Sequence, residues 1–181
     1  MFSVVLPLAL AALSPAAPIS SVAAGAAIAV CFAPEEDCAA FAVRAINNAE
    51  REILVGAYGL TTGSGIVKAL VRAKERGVDV RMIADKTTPC QRESGIEPLV
   101  SAGVPIWIDA QGRIATMVID GAVTLTGSMN WTRGAAVNSE DLNLISSPAV
   151  AAAYAGHWRD RLAASSPFNR REDWCRVGSV T

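Results

Sequence analysis

The chain has 181 residues, with 16 Lys and Arg against 17 Asp and Glu and a formal net charge of −1, which excludes a strongly basic nucleic-acid coat and a long acidic tail. Hydrophobic residues make up 51% of it, enough for a sizeable core and too many for a disordered chain. Its one histidine is His157, so mechanisms needing two histidines within one chain are excluded, as is a zinc site built from several histidines.

No charged side chain precedes Glu35, and Phe2 to Leu13 form an apolar run of signal-peptide length. Ala24-Gly25-Ala26 fits the small-x-small pattern of a cleavage site. The expectation is a signal peptide over 1–26 and one domain over 27–181, exported to a secreted or periplasmic location. The alternative is an uncleaved membrane anchor, for which Pro7, Pro15 and Pro18 make a poor spanning helix. Cys31, Cys38, Cys90 and Cys175 form an even set that suits an oxidising compartment. Of the possible pairings, Cys31 with Cys38 closes a local loop across the turn-like Ala33-Pro34. Cys90 with Cys175 then pins the tail, 163–181, to the body. A site in which four thiolates hold a metal is the alternative, but no C-x2-C pair is present.

Residues 35–51 read as a helix, with Phe41, Ala45 and Ala49 at helical spacing. Glu52 to Leu60 reads as a buried strand. Gly63-Ser64-Gly65 breaks the chain before a helix over about 66–76, whose apolar face is Ile66, Leu70 and Ala73 and which ends at Gly77. Val78 to Asp85 is a strand, 94–102 a short helix, and Val104 to Asp109 a strand. Thr116 to Asp120 and Ala122 to Thr126 are strands about a turn at Asp120-Gly121, and Asp141 to Ser146 is another. Pro148 opens a last helix to about Leu162. Alternating elements followed by clustered strands predict an α/β fold, a mixed β-sheet flanked by helices on both faces.

The chemistry concentrates in 117–130, MVIDGAVTLTGSMN. Asp120 ends one strand, Gly127-Ser128 ends the next, and Asn130 follows. The expectation is that two adjacent strand ends bring a carboxylate, a hydroxyl, an amide and a glycine turn together. Ser128, Asn130 and backbone N–H groups near Gly127 would donate to phosphate oxygens, and Glu140 would reach the same edge. The bland alternative is a turn rich in common turn formers.

This segment resembles the second half of the phospholipase D superfamily motif, H-x-K-x4-D-x6-G-S-x-N. Further along the chain Ala45-Ile46-Asn47-Asn48-Ala49, Ile53-Leu54-Val55, Ala73-Lys74-Glu75-Arg76-Gly77-Val78, Ala84-Asp85-Lys86, Trp131-Thr132 and Asn138-Ser139-Glu140 are similar to the small single-motif members, over about residues 30–162. The resemblance implies metal-independent cleavage of phosphodiesters, without cofactor, by a homodimer that places two motifs in one site. One subunit's histidine attacks phosphorus, the partner's histidine moves the protons, and lysines stabilise the phosphoryl charge. It also implies catalytic positions at Asp120, Ser128, Asn130 and Glu140, and phosphate binding by Gly127, Ser128, Asn130 and Arg113.

Counting back from Asp120, the lysine slot holds Ala115 and the histidine slot Arg113. Ile114-Ala115-Thr116-Met117 reads as though His-x-Lys had been removed between Ala115 and Thr116. The loop Ala110-Gln111-Gly112 would absorb the loss and carry Arg113 towards the histidine slot. A guanidinium binds phosphate but is no nucleophile at neutral pH. The chain is therefore expected to be an impaired phosphodiesterase for phospholipid or nucleic acid. The alternatives are a non-catalytic phosphate- or nucleic-acid-binding relative and a structural periplasmic module. His157 flanks the helix face formed by Tyr154, Trp158 and Leu162 and is read as structural or surface. Lys68, Arg72, Lys74, Arg76, Arg81 and Arg170-Arg171 are read as either a groove for a phosphate backbone or solvated faces.

Overall fold

A computed structural model describes residues 25–170 and 174–177. The expected signal peptide, but for its last two residues, and Arg171 lie outside the described residues. The strands are β1 (Ala27–Ala33), β2 (Glu52–Ala57), β3 (Asp79–Asp85), β4 (Ile106–Asp109), β5 (Ala115–Ile119), β6 (Val123–Gly127), β7 (Glu140–Ser146) and β8 (Ser166–Pro167). The helices are α1 (Cys38–Asn47), α2 (Ile66–Glu75), α3 (Ile96–Ser101), α4 (Pro148–Ala163) and α5 (Trp174–Val177).

The strands form one sheet in the order β1-β7-β6-β5-β2-β3-β4-β8. β2, β3 and β4 run parallel, as connections through α2 and α3 require. The other neighbours are antiparallel. Alternation along the strands sorts the core into two layers. Ile53, Val55, Met82, Met117 and Ile119 pack with α1, α2 and α3 on one face. Leu54, Ile83 and Val118 meet Ala151, Ala155 and Trp158 of α4 on the other. The expected mixed sheet with helices on both faces is the observed fold.

Local chemistry fixes the helix starts. The Asp37 side chain accepts from Ala40 N at 2.9 Å and caps α1. Ser147 caps α4, with Pro148 in its first turn. Ile66, Leu70 and Ala73 of α2 are fully buried, as their spacing predicted.

Two segments differ from the sequence reading. The strand from Glu52 stops at Ala57, three residues early. Tyr58 leaves the ladder, and its carbonyl accepts instead from Thr88 Oγ1 and Gln91 Nε2, each at 3.1 Å. β1, the stretch expected to start the mature chain, is an edge strand paired with β7 from Ala27 with Ser146 to Ala33 with Glu140. The disulfides are Cys31–Cys38, which ties β1 to α1, and Cys90–Cys175, which ties α5 to the loop after β3. Both pairs are the expected ones. Among the described residues no helix is long and apolar enough to cross a membrane.

Candidate functional site

β5 and β6 form a hairpin in which Thr116 pairs with Thr126 and Ile119 with Val123. The start of β5 therefore lies beside the end of β6, and Asp120 sits in the turn at the opposite edge of the sheet. From Thr116 to Asp120 the strand covers roughly 13 Å. The expectation that Asp120 joins Ser128 and Asn130 in one cluster is corrected here. Successive antiparallel strands end at opposite edges, so a residue that closes one strand cannot meet a residue that closes the next.

Asp120 does other work. It adopts φ 54° in the turn, and its carboxylate accepts from the N–H groups of Glu50 at 3.0 Å, Arg51 at 2.8 Å and Glu52 at 3.0 Å. Burial opposes its ionisation. The N–H donors of Glu52, Glu50 and Arg51 and the Arg51 charge outweigh burial and hold the carboxyl below its ordinary range. Asp120 thus clamps the connection between α1 and β2.

At the other end of the hairpin is a cleft of about 420 Å³, with Thr116 and Thr126 in its lining. Tyr58, Arg113, Ser128, Asn130, Tyr154 and His157 surround it. The loop before β5 brings Arg113 there. Ile114 packs over the central strand so closely that a Cβ on Gly56 would lie 2.5 Å from Ile114 Cγ2. β5 then pairs with β2 without interruption from Ala115 to Ile119. The Arg113 guanidinium lies 5.4 Å from the centre of the Tyr58 ring, a cation–π distance. Among the described residues Arg113 has no ion pair or hydrogen bond, so its N–H donors are unspent.

The Ser128 hydroxyl donates to Glu140 Oε2 at 2.6 Å and accepts from Asp141 N at 3.0 Å. Asn138 Nδ2 donates to the other Glu140 oxygen at 3.4 Å. Glu140 thus reaches the edge where Ser128 stands, as expected. The backbone amides expected to be free for phosphate are engaged. Ser128 N donates to Asp141 Oδ1 at 3.3 Å and Met129 N to Asp141 O at 3.2 Å. Gly127 ends β6 where a Cβ would collide with the Asp141 carbonyl. Glycine is required there by the approach of β7. The Asn130 side chain has no hydrogen bond within the described residues and faces the cleft.

His157 is the residue that sequence reasoning did not place in the site. It is exposed on α4, one turn after Tyr154, and both border the cleft. The i, i+3 spacing was visible, but nothing in the sequence says which strand ends the flank of α4 passes. Four of the basic residues have partners elsewhere. Arg81 pairs with Asp79 at 2.6 Å and Arg170 with Glu97 at 3.0 Å. Arg76 donates to the carbonyls of Ile46 and Ala49 at 3.1 and 3.2 Å, and Arg72 to Asn47 at 3.4 Å. None of them lines the cleft, so of the two readings left open for them the groove is not formed there.

A cleft with one unpaired guanidinium, an unspent amide, a hydroxyl and an imidazole suits an oxyanion. The family model described as "Cardiolipin synthase, PLD-like domain" matches residues 42–161. A phospholipase D from Rickettsia typhi is 34% identical over 143 residues, which cover 77% of this chain and 70% of that protein. The crystal structure of Nuc, a phospholipase D family member from Salmonella typhimurium, superposes with a TM-score of 0.72 at 30% identity, over 80% of this chain and 99% of the other. NucT from Helicobacter pylori shares the fold at 19% identity, with a TM-score of 0.70 over 79% of this chain and 99% of that one.

Proposed function

The chain belongs to the phospholipase D superfamily, and on that premise we propose that its cleft binds the phosphoryl group of a phosphodiester, from phospholipid or nucleic acid, with little turnover. The carrying observation is Arg113, a guanidinium without an ionic partner among the described residues, held against Tyr58 in one cleft with Ser128 and Asn130. Arg113 neutralises the phosphoryl charge and Asn130 donates to an oxygen. Ser128 joins them when its hydroxyl turns from Glu140 to the ligand. Turnover is low because the motif slots hold Arg113 and Ala115, which supply neither a nucleophile nor a second cation. A relative that only binds phosphate is the limit of this reading.

A second copy completes the site. The family resemblance implies one motif per chain, and Ile28, Val30 and Phe32 stand 60%, 44% and 57% exposed along β1. Their register with Ile145, Asn143 and Asp141 puts them on the face that carries α4. Such a stripe suits burial against a partner. The two disulfides and the uncharged leader support export.

Titration with dimethyl phosphate, followed through the backbone amides by NMR, tests the site. The expected shifts fall on Arg113, Ser128 and Asn130, and Arg113→Ala weakens binding about tenfold or more. Shifts confined to the Asp120 turn, or none at all, would overturn the reading.

A further inference from the structure

We propose that His157 and Arg113 form a two-cation clamp that holds a dianionic terminal phosphate when His157 is protonated. The inference rests on the cleft being the phosphate site and adds to it both a ligand and a preference. The clamp is built from two unrelated elements. Arg113 comes from the loop before β5 and His157 from α4, and both line the same cleft. Neither has a carboxylate partner among the described residues. Two cations lining one cleft match the two charges of a phosphomonoester, one more than a diester carries. Imidazole is the side chain that changes charge between about pH 5 and pH 8, so the clamp is complete on the acid side and loses one charge as pH rises.

Other ionisable groups do not account for such a switch. Tyr58 and Tyr154 also line the cleft, and the Tyr58 ring lies against the Arg113 guanidinium. Glu140 reaches the site through Ser128. On α4, Asp160 follows His157 closely, while Arg161 is committed to Asp109 of β4. Asp85, at the end of β3, is bonded to Thr87.

The chain's single histidine makes the test unambiguous, because untagged protein has one imidazole C2 proton signal. That signal is followed across pH with and without sulfate, a dianion that does not titrate in this range, and with dimethyl phosphate, a monoanion. The clamp requires sulfate to raise the imidazole midpoint more than dimethyl phosphate does. It also requires sulfate affinity to fall about fivefold or more from the acid to the alkaline side. In His157→Gln that pH dependence disappears, while the amide shifts of Ser128 and Asn130 on anion binding persist. The preference is read with a short-chain phosphatidic acid and a 5′-phosphorylated dinucleotide. Tighter binding of either than of its methyl diester supports the clamp and names the phosphate's source, and no preference in both overturns it. If sulfate shifts the Ser128 and Asn130 amides but leaves the imidazole midpoint unmoved, the clamp fails and the phosphate site stands. If no anion perturbs the cleft, both fail.

Discussion

Asp120 shows how a motif residue can hold the scaffold together at the end of a strand remote from the site. Its carboxylate gathers three backbone N–H groups that would otherwise lack partners in the loop entering β2. Asp120→Asn removes the charge but tolerates the positive φ, and should cost about 1–3 kcal/mol of stability. Dimethyl phosphate affinity should stay unchanged, because the turn is remote from the cleft. The pH dependence has a definite sign. The folded carboxyl titrates below its ordinary value, so its contribution is complete above the unfolded value of about 3.9 and is lost as pH falls through the folded one. Urea midpoints measured from neutral to acid pH should therefore converge between the native chain and Asp120→Asn. Equal midpoints at neutral pH would remove the clamp. The sequence marks Asp120 as the turn residue it is, but not its partners, which lie about seventy positions earlier in the chain.

Among the elements, α4 closes one flank of the cleft with Tyr154 and His157. Trp158 Nε1 donates to Val55 O at 2.9 Å, and Arg161 Nε donates to Asp109 Oδ2 at 2.7 Å. Asp109 is 1% exposed. Burial alone would raise its pKa, but the hydrogen bonds and charge of Arg161, with the N–H groups of Gln111 and Gly112, bring it below the ordinary range. Arg161→Ala would strand that carboxylate and should cost about 3–5 kcal/mol, read as a lowered urea midpoint. The native pair's contribution is likewise lost towards acid pH, since the folded value is the depressed one. The face that makes α4 legible, Tyr154, Trp158 and Leu162, is the face that packs on the sheet. β1 was not legible as a strand. Its alternating Ala, Ile and Val continue the composition of the uncharged leader, and its pairing with β7 is purely long-range. The disulfide pairing was legible because Cys31 and Cys38 are close in sequence and leave one remaining pair.

At the scale of the molecule, the order of strands puts the hairpin of β5 and β6 between the parallel strands and the β1–β7 edge. That placement opens the cleft on the α4 face and leaves the β1 stripe bare beside it. The chain should be a dimer by light scattering at micromolar concentration. Phe32→Glu should shift it to monomer without unfolding it, because Phe32 is 57% exposed in the single chain. A native chain that stays monomeric would contradict the second copy.

The motif spacing made the Ser128 end of the site legible, but the antiparallel hairpin removed Asp120 from it and α4 added His157. On this reading the cleft is a phosphodiester site that lacks its reactive pair. Hydrolysis of bis(p-nitrophenyl) phosphate in the presence of EDTA tests it, comparing the chain as it stands with a variant carrying His-Ala-Lys between Ala115 and Thr116. The insertion should raise the rate by on the order of 10⁴ to 10⁶, because covalent catalysis by such groups is lost as a unit, and changing the inserted histidine to alanine should abolish the gain. If the unaltered chain already hydrolyses the diester as fast as the restored one, the account is contradicted and the nucleophile lies elsewhere.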